Sequence, residues 1–359
     1  MNKNTSLKLI KNRLLLLCIM FLGCFSIFSQ ETPKQYIAYF AEDSLSIDGK
    51  DDDESWRGVK WTNYFTDIEG EKIPKYKTRV KMIWDAKYLY FFAKLVEPHV
   101  WGDITKRDAV IFHNNDFEIF VDPTGDTHNY LEFEINALNT VWDLLLTKPY
   151  GQGGTVINNW DIKGLKTAVD VKGTLNNSTD VDTYWTVEIA IPWSALLETS
   201  HSKRLPANKF WRMNFSRVHW DHSIENGSYQ KKKDDNGRNL PEYNWVWSPQ
   251  GVINMHKPSK WGYVYFSDKK VADDFEWEIP KDEYIKWYLY DLYYSARNKI
   301  WKNTEGTIEL GSKEILEKLI VPKVEKHLTG WNIWATSPFT NKKLIIREDG
   351  KFSSYETKK

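Results

Sequence analysis

Cysteine is nearly missing from this sequence. Two occur among 359 residues, Cys18 and Cys24, both close to the N-terminus. An excess charge of either sign is missing too: Lys+Arg is 49 and Asp+Glu is 49. Nucleic-acid binding draws on a basic excess, so no nucleic-acid partner is expected. No Ser-His-Asp signature, HExxH, GxSxG or phosphate loop is found, so catalysis has no motif to support it. Internal repeats and low-complexity stretches are absent. The one long apolar run, Leu14 to Phe28, has about 15 residues, short of the roughly 20 that a membrane span needs.

What is present begins with that run. Lys3, Lys8, Lys11 and Arg13 precede it, which makes residues 1–30 read as a signal peptide cleaved near Ser29 or Gln30. The protein is then expected to be exported, with no transmembrane span in the mature chain. Cleavage takes four basic residues from a chain of net charge 0, leaving −4, and takes both cysteines. Disulfides, a cysteine nucleophile, Cys-ligated zinc and iron–sulfur clusters are thereby excluded. Leu22-Gly23-Cys24 offers an alternative, lipid anchoring through Cys24. The apolar Phe25-Ser26-Ile27-Phe28 after it speaks against that.

Aromatic residues are plentiful: Trp 18, Tyr 19 and Phe 17, 15% of the chain. Such a load fits a β-rich protein and also a ligand-stacking surface. Residues 36–268 read as short strands separated by turns, a mainly β chain folded as an antiparallel β-sandwich. Val80 to Val96 reads as a hairpin split by Asp85-Ala86-Lys87. Asp116 to Val121 alternates and ends at the turn Asp122-Pro123-Thr124-Gly125-Asp126. Tyr130 to Ala137 places Leu131, Phe133, Ile135 and Ala137 on one face, with Glu132, Glu134 and Asn136 on the other. Trp185 to Ile191, Trp211 to Val218 and Trp261 to Phe266 read as further strands. Residues 269–359 read as a C-terminal α/β extension. It comprises a helix over Lys281 to Asn303, a second helical stretch over Ser312 to Leu328 interrupted at Pro322, and a hairpin around Asp349-Gly350.

The order of these pieces resembles carbohydrate-binding module family 9. The matching segments are Ile47-Asp48-Gly49-Lys50 with Trp56, Trp84-Asp85 with Tyr88-Leu89-Tyr90, and Asn115-Asp116-Phe117-Glu118-Ile119-Phe120-Val121-Asp122-Pro123. They continue with Tyr130-Leu131-Glu132-Phe133-Glu134-Ile135-Asn136, Trp185 to Trp193, Trp211 to Val218 and Trp245-Val246-Trp247-Ser248-Pro249. The resemblance covers about residues 36–268. It is closest to exported, stand-alone bacterial proteins of this type that carry a C-terminal extension. It implies a sugar-binding β-sandwich of the jelly-roll or DOMON type, commonly with structural calcium, in which two Trp rings clamp a terminal sugar.

Candidate ligand residues follow from sugar chemistry. An indole stacks on the apolar face of a pyranose, while carboxylates, amides and guanidinium groups bond its hydroxyls. Trp101, Trp142, Trp160, Trp220, Trp245 and Trp247 are read as loop tryptophans able to stack, against core packing as the ordinary alternative. Glu132, Asn136, Arg107 and Arg217 are candidates for the polar contacts. The polar strand faces are equally compatible with a solvated sheet surface. For calcium, the acidic turns offer Asp48, Asp51, Asp53, Asp122 and Asp126, without EF-hand spacing. His219 and His222 are spaced for a metal but face opposite sides of a strand. Met255-His256 raises haem; neighbours cannot both be axial ligands, so no haem is expected.

Three functions are weighed. The first is an exported, non-catalytic carbohydrate-binding protein of polysaccharide catabolism. The second is a glycoside-acting enzyme or accessory using Glu132 and Glu134, whose spacing on one strand face suits paired carboxyls. The third is an envelope interaction protein that docks a partner through residues 269–359.

Overall fold

The computed structural model describes residues 32–271, 273, 275–300 and 307–357. The expected signal peptide and both cysteines lie outside the described residues. No helix among the described residues is long and apolar enough to cross a membrane.

Alternation builds the sandwich. Its strands are β1 (Gln35–Phe40), β2 (Thr66–Asp67), β3 (Thr78–Trp84), β4 (Tyr88–Val96), β5 (Asp116–Asp122), β6 (Tyr130–Asn136), β7 (Val141–Leu146) and β8 (Val156–Ile157). They continue with β9 (Lys166–Lys172), β10 (Tyr184–Pro192), β11 (Lys209–His219), the small hairpin β12 (His222–Glu225) and β13 (Ser228–Lys231), β14 (Tyr243–Val246) and β15 (Gly262–Phe266). The main sheet runs β8-β7-β6-β5-β11-β15-β1-β3-β4-β10-β9, with β14 beside β11 and β2 beside β14. β1 is the seam. Gln35 to Ala38 pair in parallel with β15, and Tyr39 and Phe40 pair in parallel with β3. The ladders on either side of this seam are antiparallel.

Every second side chain of these strands points into one core. Phe117, Ile119 and Val121 of β5 meet Leu131, Phe133 and Ile135 of β6, Met213 and Phe215 of β11, and Trp185, Val187 and Ile189 of β10. The expected hairpin at residues 80–96 forms with Trp84 opposite Leu89. The turn after β5 is closed by Asp122, whose carboxylate accepts the N–H groups of Thr124, Gly125 and Thr127.

The extension contains helix α1 (Lys281–Ile300) and strands β16 (Thr307–Glu309), β17 (Lys313–Ile315), β18 (Lys318–Ile320), β19 (Lys323–His327), β20 (Gly330–Thr336), β21 (Lys342–Arg347) and β22 (Phe352–Glu356). The expected hairpin at Asp349-Gly350 forms between β21 and β22. The helix expected over Ser312 to Leu328 does not form: this segment is β17, β18 and β19. Leu316 and Glu317 sit at φ 48° and 60°, two consecutive left-handed residues that reverse the chain between β17 and β18. Paired positive φ is the signature of the tight hairpin turn, here without the usual Asn or Gly.

α1 buries Ile285, Leu289, Tyr290 and Tyr293 against Trp331, Ile333, Leu344 and Ile346 of the extension's sheet. It also contacts the sandwich. Lys286 Nζ, 3% exposed, donates to the Gly125 carbonyl at 2.7 Å. Tyr263 of β15 donates to Glu283 at 2.6 Å and accepts the Trp287 indole N–H at 2.7 Å.

Candidate functional site

The outward face of β5, β6, β7, β11 and β14 follows from the same alternation. Asp116, Glu118 and Phe120 stand on β5, Glu132 and Glu134 on β6, Trp142 on β7, Ser216 and Val218 on β11, and Asn244 on β14. Register sets their neighbours. Glu118 lies directly opposite Glu134, and Phe120 opposite Glu132. Glu134 faces Trp142 on its other side, and Ser216 faces Glu118.

This face is partly covered. Residues 253–256, Tyr150 and Phe112 roof it in part, leaving a partly open cavity of about 410 Å³. One end is apolar, with Ile68, Phe120 and Met255; the other is acidic. The roof is fixed by three bonds. Trp261 Nε1 donates to the Met255 carbonyl at 2.9 Å, and the His256 N–H donates to Asn254 Oδ1 at 2.9 Å. Tyr130 Oη and His256 Nδ1 lie 2.9 Å apart. The His256 ring meets Tyr150 edge-on at 4.4 Å, and its Nε2 is 4.0 Å from Glu132 Oε1.

The electrostatics are lopsided. Asp116, Glu118, Glu132 and Glu134 are all at most 5% exposed, and no lysine or arginine lines the cavity. Burial pushes Glu118 up to about 7. Burial and the charge of Glu118 hold Asp116, Glu132 and Glu134 well above the usual carboxylate range. Burial lowers His256 to about 4, so its imidazole is neutral at neutral pH. The Phe112 N–H donates to Glu134 Oε2 at 2.9 Å and the Val218 N–H to Asp116 Oδ1 at 3.2 Å. Asp116 Oδ2, Glu132 Oε2 and the Trp142 indole N–H are buried with no hydrogen-bond partner. Unmet donors and acceptors at a cavity suit a polar guest. One carboxylate oxygen each from Asp116, Glu118 and Glu134 lie within 4.8 Å of one another.

Of the residues singled out from the sequence, Glu132, Glu134 and Trp142 come together here. The others do not. Trp245 and Trp247 are 2% and 1% exposed and belong to the sandwich core, where Trp245 stacks on His219 at 4.9 Å. Trp101, 6% exposed, stacks on Tyr229 at 5.9 Å, and Trp220 donates to the Phe112 carbonyl at 2.8 Å. Trp160 packs against the core and donates to Glu198 at 2.7 Å. Asn136 closes its own turn, accepting the N–H groups of Leu138 and Thr140 at 3.0 Å each. Arg217 points inward, pairing with Glu97 at 2.7 Å. Arg107 bonds Asp143 and Asp161 in a separate surface cleft.

The acidic turns do not fit a shared cation. Asp48 Oδ1 accepts the Lys50 N–H, Asp53 Oδ2 accepts the Ser46 N–H, and Asp51 pairs with Lys81 at 2.8 Å. Asp122 is taken by its turn, and Asp126 bonds the His128 N–H and lies 3.3 Å from Lys351. At least one carboxylate oxygen of each is already taken by a partner within the protein.

Sequence reasoning did not single out Glu118, Asp116, Tyr150, Asn244, Asn254 and His256 as ligand residues. A signal for two existed: Asp116 and Glu118 sit at i and i+2 of an alternating strand, the same pattern that drew notice to Glu132 and Glu134. As sugar contacts, residues 253–256 carried none, because they fold back from more than 100 positions away.

The profile of the family described as carbohydrate family 9 binding domain-like matches residues 47–268. No curated protein matches the chain. Among solved structures, a family 9 carbohydrate-binding module from Caldicellulosiruptor kristjanssonii in complex with cellotriose is 16% identical. The match covers 68% of this chain and 100% of that one, with a TM-score of 0.42. The same organism's family 9 module in complex with glucose is 17% identical, covering 67% and 100%, with a TM-score of 0.40. A protein from Bacteroides uniformis is 16% identical, covering 66% and 100%, with a TM-score of 0.46.

Proposed function

This chain belongs to the carbohydrate family 9 binding domain-like family, and we propose that it is an exported carbohydrate-binding protein that holds its sugar in the cavity between Trp142 and His256. The observation that carries this reading is the pairing, among the residues lining one cavity, of the unpartnered Trp142 indole N–H with the buried, unpartnered Oε2 of Glu132. Trp142 and Tyr150 supply aromatic surface at the rim for the C–H face of a pyranose. Glu118, Glu132 and Glu134 supply hydroxyl partners, and Asn244 and Asn254 supply both donors and acceptors. Burial favours the protonated carboxyl, which donates as well as accepts and so suits a hydroxyl that does both. The cavity volume falls within the range of small-ligand sites, about 300–1,000 Å³.

Export rests on the sequence pattern of residues 1–30, and a role in polysaccharide catabolism rests on the kind of protein the sequence resembles. The test is binding of soluble plant and algal oligosaccharides to the mature protein by calorimetry, alongside an assay for new reducing ends. Binding without turnover is expected. Release of reducing ends, lost in Glu132→Gln, would replace the reading with a glycoside-acting enzyme. Absence of binding to every sugar would overturn it.

A further inference from the structure

We propose that the outward face of β3, β4, β10 and β9 is a second binding surface, for acidic polysaccharide: a chain whose sugars carry carboxylate or sulfate groups. This face belongs to the layer of the sandwich opposite β5, β6 and β11, and it shares no residue with the cavity. The inference therefore goes beyond the reading above and stands without it.

Register builds the surface. The strands are neighbours in the order β3-β4-β10-β9. Val80, Leu95 and Val187 turn into the core, so the residues alternating with them turn outward. One outward row holds Arg79 directly opposite Lys94, followed by Thr186 and Asp170. The next row begins at Lys77, whose carbonyl accepts the Val96 N–H, and runs through Val96 and Tyr184 to Lys172. With neighbouring strands about 4.8 Å apart, the cations spread over about 14 Å.

Their charge is unmet within the protein. Among the described residues, Lys77, Arg79, Lys94 and Lys172 make no salt bridge and no side-chain hydrogen bond, and Asp170 is the only carboxylate in the two rows. Like charges directly opposite on an antiparallel pair destabilise it. Lys81, next on the same face of β3, has the ordinary remedy: it pairs with Asp51 at 2.8 Å. The two rows beyond it lack one, in a mature chain expected to be net negative.

The second observation is aromatic. The Arg79 guanidinium carbon lies 4.2 Å from the Trp61 ring centre, Lys77 Nζ 5.1 Å from that of Tyr64, and Lys94 Nζ 3.5 Å from that of Tyr184. A ring beneath a long cationic side chain holds it in place without neutralising it. Tyr64 is itself 47% exposed. Charge complementarity calls for an anion, and a row of cations suits a polymer with repeated acidic groups. Arginine takes a carboxylate or sulfate through two N–H groups, and an exposed ring takes the C–H face of a sugar.

The experiment measures binding of the full mature chain to immobilised polygalacturonate, sulfated galactan and neutral galactan by interferometry. Duplex DNA and phosphatidylglycerol vesicles are run alongside. Expected is binding of at least one acidic glycan, weakened at least about 10-fold between about 50 and 300 mM sodium chloride. The double variant Arg79→Gln/Lys94→Gln should weaken it at least about 10-fold as well, while Trp142→Ala and Lys318→Gln leave it unchanged. Circular dichroism checks the fold, and Lys77→Gln/Lys172→Gln serves as the second variant should the first not fold. No binding of either acidic glycan at low salt would overturn the proposal. So would full affinity in the folded double variants, loss in Trp142→Ala, or neutral galactan, DNA or vesicles bound as tightly as the acidic glycans. Neutral oligosaccharide binding that depends on Trp142 leaves the cavity reading intact whichever way this result falls.

Discussion

Glu118 and Glu134 stand directly opposite each other on adjacent antiparallel strands, both buried, with no lysine or arginine bonded to either. A sandwich that only had to fold would place apolar residues there, as it does two steps along, where Phe120 and Leu144 occupy the same face. The arrangement carries a stability cost, for which the proposed ligand gives a reason.

Trp142→Ala is expected to weaken sugar binding at least about 10-fold, or 1.4 kcal/mol, with little change in stability, because the ring is half-buried at the rim. Trp245→Ala is expected to do the opposite. Its ring is 2% exposed in the core, so it should cost about 3–5 kcal/mol in urea unfolding. Calorimetry and urea midpoints on both variants check this. A binding loss in folded Trp245→Ala equal to that in Trp142→Ala would contradict the assignment.

Glu188 holds the Asp48-Gly49 turn. Its carboxylate accepts the N–H groups of Asp48 at 2.9 Å and Gly49 at 3.0 Å, and the Trp56 indole N–H at 2.8 Å. Glu188→Gln turns an NH2 group toward donors, so about 1–3 kcal/mol of stability should be lost. The loss should be the same with calcium or with chelator, since bonds within the protein and not an ion set this turn. Thermal midpoints under both conditions decide it.

His256 gives a pH signature. Its pKa falls from 6.5 to about 4 because it is buried. The unfolded chain therefore takes up a proton near pH 6.5, while the folded one does so only near pH 4. The stability from this group is complete above pH 6.5 and is lost as pH falls from 6.5 toward 4. At about 1.4 kcal/mol per unit, the loss is roughly 3 kcal/mol. The difference in unfolding free energy between wild type and His256→Gln should shrink across that window. A difference that stays constant from pH 7 to pH 4 would refute it.

Lys286 ties α1 to the turn after β5. Lys286→Ala leaves the Gly125 carbonyl without its buried donor and takes one cation from Glu283, whose Oε2 lies 3.4 Å from Nζ and keeps its bond from Tyr263. A loss of about 1–3 kcal/mol is expected, with sugar affinity retained where the protein is folded. Unchanged urea unfolding would show that this contact is dispensable.

Much of the fold was legible because strands of period two write their inner face plainly. Leu131, Phe133 and Ile135 announce β6, and the core takes all three. The meaning of the opposite face was not legible. Glu132 and Glu134 alternate in the same way whether water or a roof covers them, and what covers them is Met255 and His256, far along the chain. The tryptophans misled for a related reason. Trp245 and Trp247 flank a turn-rich segment and look exposed, yet their spacing puts both on the inner side of the sheet. The segment 312–328 read as a helix because its apolar residues recur every three or four positions. Two left-handed residues, Leu316 and Glu317, overrode that pattern.

The most direct test of the central claim is a titration of the mature protein with a panel of plant and algal oligosaccharides, read by tryptophan fluorescence, in wild type, Trp142→Ala and Trp160→Ala. The account predicts that at least one sugar shifts or quenches the emission of wild type and Trp160→Ala, and that Trp142→Ala loses the response and the affinity together. Binding by folded Trp142→Ala with wild-type affinity would contradict the account, as would a panel to which the wild type does not bind at all.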